Sequence, residues 1–176
     1  MSDQRTNLEG RIRRSLELRH RYYRMIGAGI TPVLGKPATA PQINDFEATV
    51  GIVLPASYRA FLSICDGWKH WEGDAHLFSL DEMLVGPYAD WIKRWKVEAL
   101  RRGERVVANG LVIGGKLEAD SGFILDLANR SPSGEAPIVN WELHEIARYS
   151  DFYNLFDRDA EDWQAIIDDE IRGSDS

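Results

Sequence analysis

The sequence predicts an α+β fold in a single domain, a mostly antiparallel twisted sheet with helices from both ends of the chain packed around it. Three observations lead there. Apolar residues recur at helical spacing up to Arg102, short strand-like runs separated by turn residues follow from Val106 to Trp141, and helical spacing returns from Asp151. Helices, then meander strands, then helices is the order of an α+β chain rather than of an alternating α/β one. Residues 1–38 read as an amphipathic helix and linker, 39–172 as the main α+β unit and 173–176 as a tail.

Leu8, Ile12, Leu16, Tyr23 and Ile26 stripe the first helix, with arginines expected outside. Residues 27–41, with GAG and two prolines, read as a loop or linker. Thr39 and Gln42 have the spacing of a capping box, so a helix can start near Ala40, with Pro41 in its first turn. Ile43, Phe46 and Val50 form its apolar face, and Gly51 can end it with positive φ. Leu54 and Pro55 open a second helix, whose buried stripe is Tyr58, Phe61, Leu62 and Cys65, and Gly67 stops it. Residues 68–75 read as a polar and aromatic loop, and Leu77-Phe78 as a short strand. Trp91, Ile92, Trp95 and Leu100 stripe a helix from about Tyr88 to Arg102, ended by Gly103. Val106–Ala108, Leu111–Ile113, Phe123–Leu127 and Ile138–Trp141 read as strands, with a turn over Ser131–Ala136 before the last. Two helices over Asp151–Phe156 and Asp159–Arg172 close the chain, the second opening on acids that suit a helix N-terminus.

The stretch from Ile43 to Trp68 also carries a resemblance. Phe46-Glu47, Leu54-Pro55, Tyr58-Arg59-Ala60-Phe61-Leu62 and Asp66-Gly67 fall in the order seen at the start of the SUKH superfamily, the Smi/Knr-type domain. Leu77–Met83 is similar to that family's short strand and Ser-Leu-x-Glu turn, Gly122–Leu127 to its central strand, Pro137–Trp141 to the next strand, and Ser150–Phe156 to its closing helix. The resemblance covers roughly Gln42 to Phe156. Tyr88–Arg102 stands out as a possible insertion, and the first thirty or so residues lie outside the match. In bacteria, the resemblance implies an immunity protein that binds a co-encoded toxin, often a nuclease. The family's fungal members imply a regulatory or scaffold role instead.

Composition sets bounds. A chain of 176 residues buries about 70% of its extended surface, so it needs no metal or disulfide staple, and its single cysteine rules out an internal disulfide. No signal peptide and no membrane span is apparent, so a cytoplasmic protein is expected. Net charge is −7, unevenly placed. Residues 1–24 hold seven Arg against Asp3, Glu9 and Glu17, whereas residues 151–176 hold nine acids against Arg158 and Arg172. Either the terminal helices lie side by side, or they form two separate surfaces, or both are simply solvated. The N-terminal arginines lack any nucleic-acid-binding module, and none is inferred.

The chemical motifs are weak. Gly110–Lys116 has P-loop spacing, but Leu117 stands where Ser or Thr would bind magnesium, so a strand and glycine turn is the better reading. Asp66, His70, Asp74 and His76 form a His/acid cluster with no recognised zinc spacing. His144-Glu145 lacks the second histidine of a zincin, the acids after Asp157 lack the EF-hand glycine, and Cys65 lies on an apolar stripe. No catalytic residue, cofactor or metal is indicated.

What remains is a protein-binding surface. Trp68 and Trp71 lie among Asp66, Glu72 and Asp74; tryptophan is enriched at interface hot spots, and acids steer basic partners. The alternative, both indoles folded onto the core, stays open. The expected function is a non-enzymatic module that masks a toxin, with a basic nuclease domain as partner and no nucleic acid or membrane, acting as a monomer or weak homodimer. A hydrolase or metal-binding protein using the Asp66–His76 segment is the enzymatic alternative.

Overall fold

The computed structural model describes residues 2–174, and the side chains of residues 7–173. The side chains of Asp3 and Arg5 and the last two residues of the tail lie outside that range. Helix α1 (Ser2–Met25) is followed by the short strand β1 (Val33–Leu34) and helices α2 (Ala40–Val50) and α3 (Ala56–Leu62). A hairpin of β2 (Trp68–Glu72) and β3 (Ala75–Leu77) leads to α4 (Leu80–Leu84), α5 (Gly86–Arg102) and α6 (Arg105–Asn109). Strands β4 (Leu111–Gly115), β5 (Ser121–Leu125), β6 (Ile138–Glu142) and β7 (His144–Tyr149) then run to helix α7 (Phe152–Ser174).

The sequence signals at α2 act as expected. Thr39 accepts from the Gln42 backbone while the Gln42 side chain caps Thr39, and Gly51 closes the helix at φ 69°. Ile43 and Phe46 bury one face. On α3, Tyr58 and Phe61 stack with Phe152 of α7 at centroid distances of 4.9 and 5.0 Å. Ser57 of α3 donates to Glu135 (2.6 Å) and accepts from the Phe152 amide (3.3 Å), so one buried hydroxyl joins α3, the 131–136 turn and α7.

The seven strands form one antiparallel sheet whose spatial order is the chain order, β1 to β7. Side chains alternate between faces along each strand. Ile113, Phe123, Leu125 and Ile138 join Leu8, Ile12, Phe46, Tyr58, Phe61 and Phe156 in the main core, beneath α1, α2, α3 and α7. Val112 and Ile124 point the other way, under Trp91, Trp95 and Ala99 of α5 and Val107 of α6. The α5 helix is therefore the cover of the sheet's second face. Its close approach needs glycine: a Cβ on Gly122 would lie 2.4 Å from the Gly114 carbonyl oxygen and 3.2 Å from the Trp95 ring.

Several expectations are corrected, and the 27–41 loop holds the short strand β1 while Ile26 lies past α1 and is exposed. Residues 68–75 are not a loop but most of the β2–β3 hairpin, turned at Gly73. Val106–Ala108 is helical, in α6, where Val107 fills the second core and Lys96 bonds the following Gly110 carbonyl. Strand β7, absent from the sequence reading, pairs with β6 along its length. The two C-terminal helices are one, because Asp157–Asp159 continue the helical path of α7. Leu100 is exposed, and Ala99 takes its place on the buried stripe of α5.

The terminal helices do lie side by side. Arg11 bonds Asp157 at 2.6 Å at the surface, and Arg19 is paired with Asp159 in the interior. Arg19 departs from the expectation that the α1 arginines face out: it is fully buried. Its position follows the stripe, since Leu8, Ile12, Ser15 and Arg19 are spaced three and four apart.

Candidate functional site

Asp66, Trp68, Trp71, Glu72 and Asp74 do not form one surface. Asp66 is half-buried, and its carboxylate accepts from the Leu80 amide at 2.8 Å, holding the start of α4. Burial pushes that carboxyl up from its ordinary value and the Leu80 bond opposes the rise. Trp68 and Trp71 are 1% and 0% exposed, so the pair is corrected from a surface anchor to a core element. The indoles meet edge to face at 4.8 Å and pack on Phe156.

What the two indoles enclose is Arg19. Its guanidinium carbon lies 3.9 Å from the Trp71 ring centre, 5.1 Å from Trp68 and 5.0 Å from Trp163 of α7. Nη1 and Nη2 donate to the two Asp159 oxygens at 2.6 and 2.5 Å, Nε donates to the Trp71 carbonyl at 2.6 Å, and Ser15 bonds both charged groups. A bidentate, aromatic-faced arginine of this kind fixes geometry as well as charge. It locks α1, β2 and α7 together.

Glu72 and Asp74 stay at the surface and line a cleft of about 180 Å³ with Lys116, Ser121, Asn140 and Glu142. One wall is the β2–β3 hairpin and the other is β5–β6. Ser121 pairs with Glu142 and Phe123 with Asn140, which puts these side chains on the main-core face, at the edge of the cleft. Asp74 is bonded to Lys116 at 3.0 Å, which holds its carboxyl below the usual range. Among the described residues, the Glu72 and Glu142 side chains make no hydrogen bond or ion pair, although the Arg19 charge acts on Glu72. Loss of water in the crowded rim, opposed by Arg19 and reinforced by Asp159, Glu142 and Asp162, pushes the Glu72 carboxyl up to about 7. Sequence reading missed Lys116, Ser121, Asn140 and Glu142, because only the strand register brings them opposite the hairpin.

The hairpin carries two histidines. His70 has φ 56° and bonds the Gly73 carbonyl through Nδ1 at 2.9 Å. Its backbone N–H donates to His76 Nδ1 at 3.4 Å, and the two rings are 5.3 Å apart. Desolvation and the neighbouring His70 hold the His76 imidazole below its ordinary value. No group of three or more His, Cys, Asp or Glu that could hold a metal occurs among the described residues.

A larger groove, about 510 Å³, lies between α5 and the β4–β5 loop. Its charges are already paired: Arg94 with Glu118 at 2.8 Å, Arg101 with Glu98 at 2.5 Å, Lys93 with Asp90 at 3.5 Å and Asp120 with Arg102 at 2.9 Å. Surface pairs that neutralise each other leave little field for a partner. The 180 Å³ cleft is the better candidate site. No helix among the described residues is long and apolar enough to cross a membrane.

The family model described as the SMI1 / KNR4 family (SUKH-1) matches residues 37–169, a span that includes α5 and excludes α1. No curated protein matches the chain.

Proposed function

The chain belongs to the SMI1 / KNR4 family (SUKH-1), and from that premise we propose that it is a non-enzymatic protein-binding module that masks a basic partner, as an immunity protein masks a co-encoded toxin. The observation that carries the reading is that Glu72 and Glu142, whose side chains make no ion pair, line one cleft together with Asp74. A net charge of −7 adds a long-range field of the same sign. A nuclease needs a cationic surface to hold phosphates, and an acidic protein competes for that surface by charge and by bulk. Asp66, His70 and Asp74 support chemistry poorly, since each is bonded within the fold, to Leu80, Gly73 and Lys116.

Calorimetric titration against the C-terminal domain of a large secreted protein encoded beside this chain tests the reading. One-to-one binding is expected to weaken with salt and to fall at least ~10-fold when Glu72 and Glu142 both become Gln, in line with close interfacial charge contacts. Binding that ignores both salt and the double substitution would remove the cleft from the interface. Absence of any such partner would favour the regulatory or scaffold role.

A further inference from the structure

The β2–β3 hairpin, which forms one wall of the cleft, contains a hydrogen bond that a proton would break. The donor is the His70 backbone N–H, which can only donate, so His76 Nδ1 must present its lone pair. A proton on Nδ1 replaces that lone pair with a second N–H aimed at the first. The His70 ring lies 5.3 Å away, and its charge opposes a proton on His76. The segment has little slack, because His70 already holds a left-handed φ in a non-glycine residue and the β2–β3 register shifts between Trp68 and Glu72.

Charged groups of both signs face the two titrating side chains. His76 is faced by Lys69 and His70 of β2, Asp74 of the turn, Glu82 of α4 and Tyr88 of α5. Asp74 is bonded to Lys116, and Glu82 is engaged in capping Ser79, so neither carboxylate is bonded to the imidazole. Glu72, two residues on from His70, is faced by Arg19 of α1, Asp159 and Asp162 of α7, and Glu142 of β6. Tyr149 of β7 lies within reach of the same acids.

We propose that protons gate the cleft through the β2–β3 hairpin: uptake at His76 breaks its bond to the His70 amide, uptake at Glu72 removes one of the cleft's carboxylates, and a cationic partner held at about pH 8 is released in mild acid. This rests on the reading of the cleft as a cation-binding surface. The two histidines lie outside the cleft lining, so the gate acts on the shape of the wall while Glu72 acts on its charge.

The test uses the full chain and an oligoarginine peptide as the cationic probe, compared between about pH 8 and about pH 5.5, the range in which imidazoles change charge. Hydrogen-exchange protection factors of residues 69–77 are followed over the same range. Wild type is expected to lose ~10-fold or more in peptide affinity and in hairpin protection on acidification. H76Q keeps an acceptor without a titrating ring and is expected to keep its protection, and H76Q combined with E72Q to bind with little pH dependence. Wild-type hairpin protection that is the same at both pH values overturns the gate, as does equal loss of protection in H76Q. Failure of the peptide to bind at either pH, with the protection change still present, instead removes the cation-binding reading.

Discussion

Replacing Arg19 with Met would leave the Asp159 carboxylate in the interior with only the Ser15 hydroxyl as its bonded partner. The Arg19 and Asp159 side chains are 0% and 6% exposed, so water cannot take over. Removing one member of a buried pair typically costs about 3–5 kcal/mol, because the remaining charge is uncompensated. The Trp71 carbonyl also loses its donor and three indoles lose a facing cation, but those losses overlap with the first and are not summed. In a domain of this size about 1 kcal/mol moves the midpoint by about 2–4 °C, so R19M should lower it by roughly 6–20 °C. The assays are thermal melting for the midpoint and urea denaturation for the free energy, both followed by tryptophan fluorescence, which reports directly because Trp68, Trp71 and Trp163 surround the site. The pair also predicts non-additivity. R19M combined with D159L removes both charges and should recover at least ~2 kcal/mol of the single-variant loss. A single-variant cost under ~1 kcal/mol, or a double variant as costly as the two singles added, would refute the argument that this pair joins α1 to the family core.

The remaining predictions concern the core, the sheet and the cleft. W71A should lose about 3–5 kcal/mol in the same denaturation assay, as a buried indole does, rather than act as a surface contact. G122A should cost about 1–3 kcal/mol or more, since its Cβ meets the Gly114 carbonyl at 2.4 Å; a wild-type midpoint would mean that β4 and β5 separate easily. Glu72 has a folded value of about 7 above its ordinary 4.5, so its contribution is fully present below pH 4.5 and lost as pH rises through 7. E72Q should therefore be more stable than wild type in thermal melts at pH 8, with the gap closing towards pH 4.5; a gap that widens in acid contradicts the crowding of acids described. His76 is depressed instead, so its contribution is present above 6.5 and lost as pH falls below that value, and H76Q should lessen the acid loss seen by circular dichroism.

Local rules carried the sequence reading where the determining contacts are local. Thr39, Gln42, Pro41 and Gly51 fix α2 by capping and φ preference alone, and Tyr58, Phe61 and Leu62 declare the buried side of α3 by spacing. The failures share a different cause. Lys69, Glu72 and Asp74 make the hairpin look like a loop, yet pairing with β1 on one side and with β3 on the other makes β2 a strand. β7 is an edge strand with mostly exposed side chains, so it has no apolar alternation to detect. Val106-Val107 has strand propensity, but a five-residue helix there puts Val107 under α5. Of the candidate site, Glu72 and Asp74 were legible as charged residues of a single segment. Glu142 and Asn140 were not, because register across β5 and β6 sets their place. Arg19 offered one legible signal, its place on the Leu8–Ile12–Ser15 stripe, which its charge overrode.

The pairing of α1 with α7 has a consequence for the chain as it is made. Arg19 and Asp159 are 140 residues apart. At a synthesis rate of about 5–20 residues per second, the first helix leaves the ribosome roughly 7–28 s before its partner exists. Over that interval a helix with an unmatched arginine on its apolar side must stay free of the growing sheet. A stop codon ahead of Asp159 would strand it there permanently, so loss of the last tenth of the chain should produce a protein that is cleared by proteolysis rather than one that folds with a frayed end.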